Sequence, residues 1–347
     1  MKTKQLFTLF TALVTFTCFS QNTITVDNNP GITEVTNFVY ANLQDAIDAA
    51  QNNDTLYIQA SATSYGDVTV NKTLNIIGRS HSENNKISYI DNMDVTPNAS
   101  NSYFSGLNFT DEISINNPLP VTDLVFENNY INHIGFSLSS GGINNCIIRG
   151  NVVRYLGESS SWDSPIQNGV LTNNIFLHDV NIAYPESVSL KNNIFFCYTG
   201  KILIVNESNN NTDLIIENSI ILKMNSNAGS VSPYDGIQFK NCLTYNPNAS
   251  VFDDLPGTGN LNNTNPQFEN VTDDDFDAST DDYHLKAGSP AIGAGTDGED
   301  IGLYNASGYL FNMFGITYGT PTVNITNITE SVQEGQPLQV TITASSN

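Results

Sequence analysis

The segments LVFENNYI (124–131), CIIRGNVV (146–153), GVLTNNIF (169–176), VSLKNNIF (188–195), LIIENSII (214–221) and IQFKNCLT (237–244) are six versions of one pattern. Each reads apolar, any residue, apolar, polar, an Asn-containing pair, then two mostly apolar residues. The first members of the pairs are Asn128, Gly150, Asn173, Asn192, Asn218 and Asn241, at spacings of 22, 23, 19, 26 and 23 residues. Gly106 in FSGLNF and Gly78 in LNIIGR mark two earlier, looser turns of the same kind. The apolar runs are short and rich in β-branched and aromatic residues, and the Asn or Gly between them tolerates a left-handed corner. The pattern is therefore strand, tight turn, strand. No helical stretch of crossover length lies between the runs, which excludes βαβ units. An antiparallel β-sandwich accounts for the short strands but not for a recurrence near 22 residues.

A period of that size, with two or three short strands in each repeat, predicts an all-β chain wound as a parallel β-helix. Eight or nine rungs at about 4.8 Å each give a rod near 40 Å long. Asparagines stacked at equivalent corners can bond along the axis, which explains why about one residue in seven is Asn. The residues just before the turns are Glu127, Arg149, Thr172, Lys191, Glu217 and Lys240. A solenoid stacks them in one outward column, placing Glu127 beside Arg149 and Glu217 beside Lys240 with opposite charge. These are solvated ladder partners, not catalytic groups.

Composition narrows the partners. The 347 residues carry 12 bases against 35 acids, a net charge of −23, and only 14% of them are charged. That balance cannot supply a cationic track for nucleic acid, and it is repelled by anionic membrane surfaces. With 39% hydrophobic and 10% aromatic residues the chain has enough apolar material for a core. Lys2 and Lys4 precede an apolar run ending near Phe19 and Ser20, so residues 1–20 read as a signal peptide. The run is too short to span a membrane, and no later one approaches about 18 apolar residues. Secretion or display at the cell surface follows, without membrane insertion. Cys146, Cys197 and Cys242 remain after cleavage, an odd number in apolar runs, and read as buried thiols.

Near the N-terminus, ANLQDAIDAAQ (41–51) is a capping helix with Asn42 as N-cap, Asp45 in the first turn and Leu43, Ile47 and Ala50 as its apolar stripe. The segment 41–78, from this helix through DTLYIQA and TLNIIG, resembles the opening of secreted right-handed parallel β-helix proteins, the pectin-lyase-like superfamily. NPQF followed by DYHLKAGSPAIGAGTDGEDIGLY (282–304) resembles their common C-terminal segment. The resemblance covers residues 22–305. It implies a right-handed coil of polysaccharide-binding or polysaccharide-cleaving type, and it does not choose between them. The chain then divides into a signal peptide (1–20), a β-helix domain (21–305), a linker or last coil (306–320) and a stretch at 321–347. That last stretch alternates like exposed strands around Glu334–Pro337 and resembles the start of an immunoglobulin-like module. Its shortness points to a fragment of a longer surface protein.

Chemistry is less legible. Lyases on this fold need a cation to neutralise a uronate carboxylate and a base. The available arginines are Arg79, Arg149 and Arg154. The Asn-Thr-Asp, Asp-Asp, Gly-His-Gly and Arg-Ile-Lys set of the family's hydrolases is missing. Counting from each turn, Asp163 and Glu186 both fall thirteen residues along, with Trp162 and Tyr184 beside them. A carboxylate pair next to two aromatic rings suits a sugar. His133 and His178 lie five residues past their turns with Tyr155 on the rung between, too far apart for one zinc ion. Arg154 and His178, neighbours on adjacent rungs, are the base candidates if the protein is a lyase. Asp297, Glu299 and Asp300 have an oxygen-rich, Gly-interrupted spacing that suits calcium, and no other cofactor is expected. The acidic run 273–282 is a solvated loop. The sequence is thus read as a monomeric, exported module that binds a polysaccharide or cell-surface glycan without catalysis. A polysaccharide lyase or glycoside hydrolase is the alternative, and a structural stalk is the third reading.

Overall fold

The computed structural model describes residues 21–346, apart from 33, 35–37, 138–139, 158–164, 179, 183–186, 197–202, 206–213, 224–236, 248–250, 274, 305–308, 318–320, 329–334, 336 and 338. The chain is an all-β parallel solenoid of about seven turns. Two twelve-stranded sheets and one three-stranded sheet form its walls, and the strand pairs within them are parallel. Spacing arithmetic gives eight or nine rungs; at the ends, strands such as Thr23–Val26 and Gly257–Thr258 extend the first sheet without a matching strand on the second.

The repeats lie in register. Phe126, Ile148, Leu171 and Leu190 follow one another up the first sheet, and Val153, Phe176, Phe195 and Ile221 up the second, all pointing into the coil. Phe104 stacks on Phe126 with ring centroids 5.1 Å apart, and Phe176 on Phe195 at 5.2 Å. The charge column forms where the spacing puts it: Arg149 reaches Glu127 at 2.8 Å and Lys240 reaches Glu217 at 2.9 Å. These pairs are exposed enough that solvent screens them and each adds little to stability.

The two members of each Asn pair have separate jobs. The first member turns the corner with positive φ: Asn128 at 56°, Gly150 at 66°, Asn173 at 54°, Asn192 at 58°, Asn218 at 48° and Asn241 at 52°. The second points inward and builds a ladder in the core. Asn151 Oδ1 accepts from Asn129 N at 2.9 Å and Nδ2 at 3.1 Å, while Asn151 Nδ2 donates to Phe126 O at 2.9 Å. The same bonds recur from Asn151 to Asn174 and from Asn174 to Asn193. The column continues with Ser219, whose Oγ accepts from Asn193 N, and then Cys242, whose thiol donates to Ile216 O. All four asparagines are fully buried. The stacking expected of the corner residues thus belongs to their successors.

The last stretch of the coil domain runs back along the outside of the rod as a strap. Its contacts follow the corners in reverse order. Asn241 Nδ2 donates to Ala294 O, Asn218 Oδ1 accepts from Thr296 N, and Asn173 Nδ2 donates to Leu303 O. Tyr309 OH donates to Asn128 Oδ1, and Phe314 O accepts from His81 N and Ser80 Oγ. Residues 309–317, within the stretch 306–320 expected as a linker or a last coil, form the end of this strap. Gly150 breaks the Asn corner series for a steric reason: a Cβ there would sit 1.7 Å from the Tyr309 hydroxyl. Between the strap and the second sheet lies a second apolar core. Val152, Ile175, Ile194, Ile220 and Leu243 face outward into it and meet Tyr283, Ala291, Ile301, Leu303 and Phe311. The second sheet is buried on both sides, which is why its strands carry consecutive apolar residues instead of alternating ones.

The ends follow their chemistry. Helix Leu43–Ala49 covers the first rung, capped by Asn42, whose side chain accepts from Asp45 N, and buries Leu43, Ala46 and Ile47. Pro321–Ile328 and Val340–Ser346 pair as an antiparallel hairpin. Cys146 and Cys242 are free and buried, and burial pushes both thiols up to about 12. Residues 1–20 and Cys197 lie outside the described residues. Among the described residues no helix is long and apolar enough to cross a membrane.

Two expectations follow. Asn151→Ala removes the acceptor for two buried amide donors and the donor to Phe126 O, so the urea midpoint should fall by the equivalent of about 2–4 kcal/mol, with an unchanged exposed-site control. His81, packed against Tyr130, Phe276 and Gly315 under the strap, is fully buried, and burial lowers its pKa to about 3. The unfolded chain takes up this proton near pH 6.5 and the folded chain does not. The stabilising contribution is therefore complete above pH 6.5 and is lost as pH falls toward 3, at about 1.4 kcal/mol per pH unit. Urea midpoints at pH 6 and pH 4 should fall further apart for the wild type than for His81→Gln; equal differences would show that His81 is not the group titrating.

Candidate functional site

Beyond the corner, the strands of the second sheet leave the strap and their outer side chains meet solvent. There the register stacks Glu112, His133 and Tyr155 on successive rungs. His133 Nδ1 lies 3.2 Å from Glu112 Oε2. The Tyr155 ring meets His133 edge-on at 6.3 Å and an 84° angle, and lies flat on His178 at 4.5 Å and 7°. The Arg154 guanidinium sits 5.5 Å from the centre of the Tyr155 ring. Tyr155 is 38% exposed, with an imidazole stacked on its ring and a cation nearby.

Of the pair expected as neighbours, His178 stacks on Tyr155 and Arg154 lies near the same ring. The rung interval between His133 and His178 is filled by the Tyr155 ring, as the spacing requires. Trp162, Asp163, Tyr184 and Glu186 lie outside the described residues. In the sequence they follow the strands Val152–Leu156 and Val180–Ile182.

The calcium candidates sit elsewhere, in the strap. Asp300 Oδ1 accepts from Gly293 N at 2.8 Å, and Glu299 Oε2 lies 3.8 Å from Lys191 Nζ. Asp297 is an exposed left-handed residue at φ 61°. Two of the three carboxylates therefore fasten the strap to itself and to the charge column. Among the described residues no three His, Cys, Asp or Glu side chains are gathered as a metal ion needs.

A second concave feature lies at the N-terminal end of the first sheet, a cleft of about 540 Å³ that includes Asp27, Tyr57, Arg79 and Lys86. Counting from turns does not find it, because its residues come from the first rungs, where the repeat is loosest. The usable signal was the scarcity of bases, which makes any two in one place informative. A third cleft, of about 370 Å³, lies at the other end among Tyr245, Phe268 and Lys286.

No known family's sequence profile matches the chain, and no curated protein matches it.

Proposed function

We propose that this chain is an exported, glycan-binding module of the right-handed parallel β-helix kind, the pectin-lyase-like superfamily, and that Tyr155 is the platform on which a sugar ring rests. The observation that carries the reading is the exposed Tyr155 ring, clamped flat against His178 with Arg154 beside it. A pyranose offers an apolar face that stacks on an aromatic ring and hydroxyls that accept from a guanidinium. Preorganisation favours binding because the ring loses little freedom when the sugar arrives. In this reading Trp162, Asp163, Tyr184 and Glu186, which follow strands of the same rungs in the sequence, complete the site. Secretion follows from the leader-like residues 1–20.

A second reading, a polysaccharide lyase, draws on the same geometry, with Arg154, a charge neutraliser, and His178, a base, both next to Tyr155. The two differ in product. A binder retains acidic or neutral polysaccharide unchanged, whereas a lyase releases unsaturated ends and a hydrolase reducing ends. A stalk does neither.

The test is retention on a panel of immobilised polysaccharides, with and without calcium, alongside an assay of new chain ends. The expected result is retention without cleavage, weakened about tenfold by Tyr155→Ala, the loss of one stacking contact of about 1.4 kcal/mol. Retention unaffected by Tyr155→Ala would remove this site from the reading, and no retention of any glycan would remove the function.

A further inference from the structure

The first sheet turns one side into the coil and the other outward, and its outward side chains stand in two columns along the rod. In the first column Val125, Ile147, Val170, Ser189, Ile215 and Gln238 follow one another from rung to rung. Ile147, Val170 and Ile215 are 37%, 42% and 50% exposed, where a solvated sheet face would carry polar groups. The second is the charge column of Glu127, Arg149, Thr172, Lys191, Glu217 and Lys240. It holds three of the ten bases left once Lys2 and Lys4 are set aside, and only two of the 35 acids. In a chain of net charge −23 this column therefore carries no excess of negative charge. Its side chains are held in place. Arg149 is fixed by Glu127 and the Tyr309 ring, Lys240 by Glu217, and Lys191 lies 3.8 Å from Glu299.

The signs along the charge column run minus, plus, neutral, plus, minus, plus, and the reversed order is complementary to the original. We propose that the outer side of the first sheet binds a second copy of this chain, the two rods antiparallel about a two-fold axis between the rungs of Val170 and Ser189. An axis along the strand direction lays each column on its own counterpart, reversed. Ile147 then meets the partner's Ile215, Arg149 the partner's Glu217 and Glu127 the partner's Lys240, and the symmetry makes each contact twice. Sliding one copy by one rung sets Arg149 against the partner's Lys191 or, in the other direction, against the partner's Lys240. Like charges thus exclude the neighbouring registers. Parallel rods lay the apolar column on the charge column, or each charge on its own kind. The isoleucines supply attraction and the charges alignment. Six rungs of about 4.8 Å make a face about 29 Å long, small beside the roughly 800 Å² a side of standard complexes, so the dimer is weak and reversible. The monomer expected from the sequence is its dissociated form. The Tyr155 column lies on the second sheet, outside this interface, and the association does not rest on glycan binding.

The experiment is sedimentation of the full chain in about 0.15 M salt from about 0.01 to 1 mM protein. The unaltered protein should pass from monomer to dimer over this range and go no further. Two pair exchanges test the register, because each keeps the ion pair within its own chain. Glu127→Arg with Arg149→Glu, or Glu217→Lys with Lys240→Glu, sets like charges against each other across the two-fold. Each should weaken self-association at least about tenfold while the urea midpoint stays near that of the wild type. Mixed in equal amounts, the two variants become complementary at every position and should dimerise with each other as the wild type does with itself. Ile215→Thr, which suits an exposed strand, should weaken the dimer severalfold. The proposal is overturned if the unaltered protein stays monomeric throughout or associates beyond a dimer. It is also overturned if either exchange leaves association unchanged, or if the mixed variants remain monomeric.

Discussion

The buried column of side-chain amides, Asn129, Asn151, Asn174 and Asn193, is the interaction on which the solenoid depends. At each corner the strand ends and a backbone N–H enters the coil with no strand partner. Burying such a group unpaired costs about 1–3 kcal/mol. A carboxamide solves this with both its ends: its oxygen takes the N–H and Nδ2 of the residue one rung below, and its nitrogen donates to that rung's strand. Because the bond partner is the same atom type on the next rung, the solution propagates. It also fixes register, since a slip of one residue would leave every amide in the column unsatisfied. Ser219 and Cys242 show how far the rule stretches, as smaller side chains that still meet a neighbouring carbonyl.

A second constraint acts on the outside. A sheet with apolar residues on both faces needs two cores, and the strap provides the outer one. The side chains of Asn128, Asn173, Asn218 and Asn241 bond the strap, so one residue type turns the chain and fastens its return. Consequently the surfaces open to ligands are limited. The outer side of the first sheet, the part of the second sheet beyond the strap and the two ends of the rod remain. The aromatic column of Tyr155 and the cleft of Arg79 occupy two of these regions.

Much of the wall was legible in the sequence, because Asn pairs at near-constant spacing have few structural meanings. The Glu127–Arg149 and Glu217–Lys240 pairs followed from counting alone. The strap was not legible, since a segment that runs along the axis has no period of its own. Its trace was present in the paired apolar residues after each corner, such as Val152–Val153 and Ile175–Phe176, and in the glycine at 150. The cleft of Arg79 escaped for a related reason. It depends on residues from four segments of the loosest rungs, where position relative to a turn carries little information. The ligand candidates Trp162 and Glu186 rest on sequence alone, because they lie outside the described residues.

The central claim is that the Asn column closes every corner from within, and amide hydrogen exchange tests it directly. The backbone N–H groups of Leu107, Asn129, Asn151 and Asn174 each donate to a side-chain carbonyl of the next rung. They should exchange as slowly as amides in the middle of the sheets, such as that of Phe126. Exchange as fast as that of solvent-exposed, unbonded amides would mean that the column is not bonded as described and that the coil is held by its apolar core alone.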